Sequence, residues 1–159
     1  MDMGQLKKIN SWSKMKIKEE DIILEQYKLY VETAEKVSDR RQSSNNFYLT
    51  LNSVLLAFTG FLTSLNFEFW HIIIAVAGIC ISFLWFLSIT SFRKLNTGKF
   101  EVIHCLEEKL PIRLFKDEWA CLSRGKKIGK YIKLSLVEQG VPFVFMLLYA
   151  VILVLMFLK

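Results

Sequence analysis

The chain has 159 residues, a formal net charge of +6 and 53% hydrophobic residues, with a mean hydropathy of +0.33. The apolar residues gather in three charge-free windows, residues 42–67, 69–92 and 139–158, and each reaches the roughly 20 residues that cross a bilayer. This pattern excludes an ordinary water-soluble domain, and three cysteines are too few for a disulfide framework.

Residues 1–19 form a basic arm in which Lys7, Lys8, Lys14, Lys16 and Lys18 suit a mobile or surface-lying segment near anionic headgroups. They lack the apolar core of a cleavable signal peptide, so none is expected. A long first helix is predicted from Glu20, where the acids Glu19, Glu20 and Asp21 suit a helix N-terminus. Its seam of alternating three- and four-residue steps runs through Ile23, Tyr27, Tyr30, Ala34, Val37, Arg41, Ser44, Tyr48, Leu51, Leu55, Phe58, Leu62 and Leu65. At 1.5 Å per residue the helix would be roughly 70 Å long, with a charged cytoplasmic half at 20–46 and transmembrane helix 1 at 47–66.

Arg40 and Arg41 stand where snorkelling cations anchor a span, and the alternative for Arg41, at a seam position, is binding an anion. A second stripe places Asn45, Asn52, Thr59 and Asn66 seven residues apart, with Asn46, Ser53 and Gly60 beside them. Such residues either hydrogen-bond neighbouring helices or, with Asn45, Asn52, Ser53 and Thr59 as the candidates, line a pore in an oligomer.

Transmembrane helix 2 is predicted at 69–92, opening on the belt Phe69-Trp70-His71 and carrying the small residues Ala75, Gly78 and Ser82. Residues 93–138 read as a cytoplasmic helical segment. A short helix at Lys99–Lys109 turns Phe100, Ile103, Leu106 and Leu110 inward and stops at Pro111, and a second holds Leu114, Phe115, Trp119 and Leu122. Both should pack on the soluble half of the first helix as a small domain. Next comes a basic patch, Arg124, Lys126, Lys127, Lys130 and Lys133, with Tyr131 among them. It is either a collar on anionic lipid or a phosphate-binding site for a nucleotide or short nucleic acid. Transmembrane helix 3 occupies 140–158, starting at Gly140-Val141-Pro142, and Glu138 at its edge is expected to pair with a nearby base.

Nine of the 21 Lys and Arg residues precede the first span and eleven lie between the second and third. The positive-inside rule therefore puts the N-terminus in the cytoplasm and the C-terminus outside. Catalysis is not expected. There is no Gly-rich phosphate loop, Ser elbow or zinc-type spacing, the pairs Glu19-Glu20 and Glu107-Glu108 read as solvated helix surface, and no metal or cofactor is anticipated.

The run Tyr27-x2-Tyr30-Val31-Glu32, Ser38-x-Arg40-Arg41, Asn45-x-Phe47, Leu95-Asn96, Lys99-Phe100, Leu110-Pro111, Glu118-Trp119 and Val137-Glu138-x2-Val141-Pro142 resembles the RipA-like family of small bacterial inner-membrane proteins. That resemblance implies a homo-octamer. The chain is similar also to small multi-span effectors encoded beside nucleotidyltransferases in antiphage systems, which respond to a nucleotide or oligonucleotide and injure the inner membrane. The expectation is thus an all-α polytopic protein of three transmembrane helices, self-associating as four to eight subunits in the inner membrane among its lipids. It would act as an effector whose gated pore answers a cyclic nucleotide or single-stranded oligonucleotide made by a partner enzyme. The alternative is a non-conducting membrane scaffold.

Overall fold

A computed structural model describes residues 3–64, 68–122 and 134–158, with side chains described for 18–62, 69–122 and 137–158. The described residues form four helices and no strand: α1, Met3–Ser64; α2, Glu68–Glu107; α3, Leu114–Cys121; α4, Leu134–Phe157. The chain divides into two compact units, a charged one of Met1–Lys36 with Asn96–Tyr131 and an apolar one of Val37–Leu95 with Ile132–Lys159.

Three element boundaries differ from expectation, each for a local reason. α1 begins at Met3 rather than Glu20, so most of the expected arm is helical. Past Gly4 that stretch has no Gly or Pro and is rich in Lys, Gln, Leu, Met and Ile, which favour helix, and the acids at 19–21 lie inside it. α2 continues from the apolar stretch to Glu107 instead of stopping near Phe92. Gly98 alone is too weak a breaker to divide it, and Pro111, which biases the preceding residue away from helix, lies just past its end. α4 begins at Leu134, so Pro142 is inside the helix rather than in its first turn. Lacking an N–H, Pro142 leaves the Glu138 carbonyl without its usual helical donor. α3 falls where the second short helix was expected.

In the charged unit, Ala34 and Ile103 are buried, as is Glu107. Phe115 of α3 meets Phe100 edge-on at 5.7 Å and Tyr27 at 6.4 Å. Lys99 Nζ lies 4.9 Å over the Tyr30 ring and donates to Thr33 Oγ1 at 3.1 Å. The pairs Lys36–Glu32 and Lys116–Glu108 are exposed, and such pairs add little stability.

The apolar unit packs the second half of α1, the first part of α2 and α4. Its core is Val37, Leu62, Ile74, Ala75, Trp85, Ile89 and Tyr149 together with the polar Asn52, Thr59, His71 and Ser82. Among the described residues every position of the predicted α1 seam is buried or half-buried except Phe58, while Asn52 and Thr59, each next to a seam position, are buried as well. A 3.5-residue seam drifts about 20° per heptad on a 3.6-residue helix, so a strict heptad moves toward the edge of the buried face.

Two of the three expected spans have the length and hydropathy to cross a membrane, within Phe69–Glu107 and Val137–Phe157. Among the described residues, the stretch expected to span in α1 is not one of these. Its Thr50, Asn52, Ser53 and Thr59 lower its mean hydropathy.

Candidate functional site

The polar residues of the apolar unit are joined across three helices. Asn52 on α1 is fully buried. Its Nδ2 donates to the Tyr48 carbonyl at 2.9 Å and its Oδ1 accepts from Ser82 Oγ of α2 at 3.0 Å. The Tyr149 hydroxyl of α4 donates to the Asn52 carbonyl at 3.1 Å. Tyr149 reaches that carbonyl by lying against Gly78, where any side chain would overlap its ring. One small residue on α2 thus lets a tyrosine of α4 reach the backbone of α1, and no buried polar atom of Asn52 is left without a partner, which in an apolar interior would cost about 1–3 kcal/mol.

Two turns earlier along α1, Asn45 Oδ1 accepts from Trp85 Nε1 at 3.0 Å. The Trp85 ring stacks on Tyr48 at 6.0 Å and meets Phe145 of α4 at the same distance. Ser44 and Ser88 share a hydrogen bond of 3.2 Å. Beyond these, Arg41 Nε stands 3.6 Å from Glu138 Oε2, both side chains about four-fifths buried and neither atom otherwise hydrogen-bonded. Arg93 donates to Gln139 Oε1 at 3.1 Å, and Gln139 Nε2 donates to Thr90 Oγ1 at 3.3 Å. A cleft of about 140 Å³ opens between Asn45, Asn46, Leu49, Trp85, Glu138 and Val141. The cluster therefore carries a charge pair, an amide relay and a small mouth, with no nucleophile beside a base.

The expected pore stripe is divided by this packing. Asn52 and Thr59 are buried and Asn45 is bonded to Trp85, so these three face the chain's own helices. Thr59 Oγ1 donates to the Leu55 carbonyl. Only Ser53 of the four is exposed. Arg40 is exposed and Arg41 is paired with Glu138, the kind of base–acid pair anticipated for Glu138. Arg124, Lys126, Lys127, Lys130, Tyr131 and Lys133 lie outside the described residues. Trp85, Ser88, Arg93, Gln139 and Tyr149 were not anticipated. An indole N–H or a tyrosine hydroxyl inside an apolar window needs an acceptor, and that was the available signal for Trp85 and Tyr149.

The charged unit holds a second polar knot around Glu107, which the sequence presented as solvated surface. Glu107 is fully buried. Oε1 accepts from Phe115 N at 2.7 Å and the Tyr27 hydroxyl at 3.3 Å, while Oε2 accepts from Lys116 N at 3.1 Å and lies 3.3 Å from His104 Nδ1. Burial pushes this carboxyl up, but the donors at Phe115, His104, Lys116 and Tyr27 together hold it below its ordinary value. Burial, and the Glu107 charge after it, push the Tyr27 hydroxyl up, so it remains a donor. Arg113, at the N-cap of α3, offers no side-chain cap. Glu107 supplies one from another helix. This is a positioning carboxylate, with every near donor committed to the fold. No group of three or more His, Cys, Asp or Glu among the described residues could hold a metal ion.

Residues 24–158 match the Octameric membrane protein family (8xMP). The chain belongs to this family. The match agrees with the resemblance to small octameric membrane proteins read from the sequence and runs through both polar knots. No curated protein and no solved structure matches the chain. As a member of the octameric family it is a homo-oligomeric membrane protein, and membership of a membrane family accounts for the many large apolar side chains exposed on α1, α2 and α4. It is not a known enzyme family.

Proposed function

We propose that the assembled protein encloses a gated conduit lined by one face of α1. The observation that carries this reading is a row of small and polar residues, Asn46, Thr50, Ser53, Ala57 and Gly60, all exposed on the single chain. A separate exposed row, Phe47, Val54, Phe58 and Phe61, is suited to lipid. Polar side chains are costly against lipid tails, so in a ring of copies the first row turns toward the shared interior and the second outward. The lining in this reading is Asn46, Thr50 and Ser53, and Asn45, Asn52 and Thr59 of the expected stripe serve packing within the subunit. In this reading α1 is a third span, the assembly lies in the bacterial inner membrane with the N-terminus cytoplasmic and the C-terminus outside, and opening depolarises the cell. Growth arrest and antiphage defence enter as consequences of that depolarisation.

The test is ion flux in liposomes carrying the purified protein. The triple variant Asn46→Leu, Thr50→Val, Ser53→Leu is expected to abolish flux while the octamer persists by native mass spectrometry. Undiminished flux in that variant would sink the assigned lining.

An absence of flux in the unaltered protein would support the second reading, a non-conducting membrane scaffold. That reading has its own support: Asn45, Asn52 and Thr59 are engaged within the chain and give each subunit a stiff three-helix frame.

Control by an anionic ligand rests on the sequence of residues 124–133 together with exposed Arg40. Five bases without an acid focus a positive field, which an eight-fold ring would multiply. Neutralising Lys126, Lys127 and Lys130 is expected to remove salt-sensitive binding of a single-stranded oligonucleotide with assembly intact. Unchanged binding would assign those lysines to lipid contact or to none.

A further inference from the structure

Among the described residues of the charged unit, one flank of the α1–α2 pair is covered and the other is bare. Phe115 of α3 covers the flank of Tyr27 and Phe100. The Lys99 contacts with Thr33 and Tyr30 mark the other. Ile22 and Leu29 lie along that second flank on α1, seven residues apart, with Leu29 one turn from Thr33. On α2 it carries Gly98, Val102 and Cys105 in steps of four and three. Ile22 is 50%, Leu29 61% and Val102 40% exposed, and Gly98 and Cys105 are exposed too.

In the apolar unit such exposure is answered by lipid. Here it occurs among Lys and Glu side chains, where no described segment of the chain covers it and water leaves apolar area unburied. Gly98 sharpens the point. It is the poorest helix former after proline, placed inside a 40-residue helix, with open space where a side chain would stand. Its helix gains nothing from it, whereas a second backbone gains close approach.

We infer that this flank, centred on Gly98 and Val102 with Ile22 and Leu29 beside them, is where the charged unit docks against a neighbouring copy in the octamer. Membership of the octameric family supplies the occupant, because self-association places copies beside one another. The inference concerns assembly and stands whether or not the ring conducts.

Gly98→Leu is the discriminating variant. The single chain has room for the new side chain and leucine favours helix, so the subunit folds at least as well. A neighbouring copy has no such room. The octamer fraction of the purified full-length protein, read by native mass spectrometry in detergent, is expected to fall by about tenfold or more, with helical circular dichroism unchanged. Val102→Glu should act the same way. Native Cys105 gives a second readout: its N-ethylmaleimide labelling should be slower by about tenfold in the intact octamer than in dispersed Gly98→Leu protein, with Cys121 as the internal reference. Intact octamers in both variants, or Cys105 labelling equally fast in the two states, would overturn the inference.

Discussion

Replacing Glu107 with alanine is expected to destabilise the charged unit by about 2–4 kcal/mol. Hydrogen bonds to a charged group contribute about 1.5–3 kcal/mol each, and the loss is not additive because partners relax together. Four groups lose their acceptor at once: Phe115 N, Lys116 N, the Tyr27 hydroxyl and His104. The two backbone donors belong to the first turn of α3, whose own N-cap residue offers no substitute. Thermal unfolding followed by circular dichroism, together with the tryptophan fluorescence to which Trp119 of α3 contributes, reads the loss. Glu107→Gln keeps the volume and one acceptor oxygen and should cost less than alanine. A loss below about 0.5 kcal/mol, the level of ordinary surface substitutions, would show that the knot is dispensable.

The same carboxylate sets a pH dependence. Its folded pKa is lowered against the ordinary value, so the folded state favours the ionised form. The resulting stabilisation is fully present above the ordinary carboxylate value of about 4.3. It is lost as pH falls through the lower folded value. The stability of the unaltered protein should therefore decline in acid more steeply than that of Glu107→Gln, and the two curves should converge at the acid end. Parallel curves would assign the acid lability to other carboxylates.

The fate of Glu107 shows what the sequence could and could not disclose. Helix, and the inward face of the second cytoplasmic stretch, were legible because Phe100, Ile103 and Leu106 keep helical spacing and Pro111 sets a limit. Glu107 lies one turn beyond Ile103 on that same face, but adjacent Glu108 makes the pair look like solvent-exposed charge. Only α3 folding back to place its first turn there gives the carboxylate its donors, and that is a tertiary event with no local signal. The polar stripe of α1 was legible as a period of seven. Which of two adjacent rows turned inward was decided by partners on other helices: Ser82 and Trp85 claimed Asn52 and Asn45, and Tyr149 could approach only over Gly78. A single sequence shows amphipathic faces but not which neighbour claims each.

Breaking the Arg41–Glu138 pair from one side should cost more than removing it whole. Each side chain retains about a fifth of its exposure. Removing one member of a fully buried pair costs about 3–5 kcal/mol, and the partial exposure here reduces the expected loss to about 2–4 kcal/mol for Arg41→Met or Glu138→Gln. In either single variant the survivor has no other hydrogen bond at the facing atom to soften the loss. The double variant removes both charges, and its cost should fall short of the sum by about 1–3 kcal/mol. Urea unfolding of the four proteins in one detergent closes the cycle, and additive costs would show that the pair is solvated and energetically idle. The cycle also bears on the second role read for Arg41. An anion bound there must compete with the Glu138 carboxylate, so a ligand gains only what it binds beyond that pair. Glu138→Gln would then raise oligonucleotide affinity as it lowers stability. If stability falls and affinity stays unchanged, Arg41 serves to hold α4 on α1, and anion recognition has to come from residues that Glu138 does not neutralise.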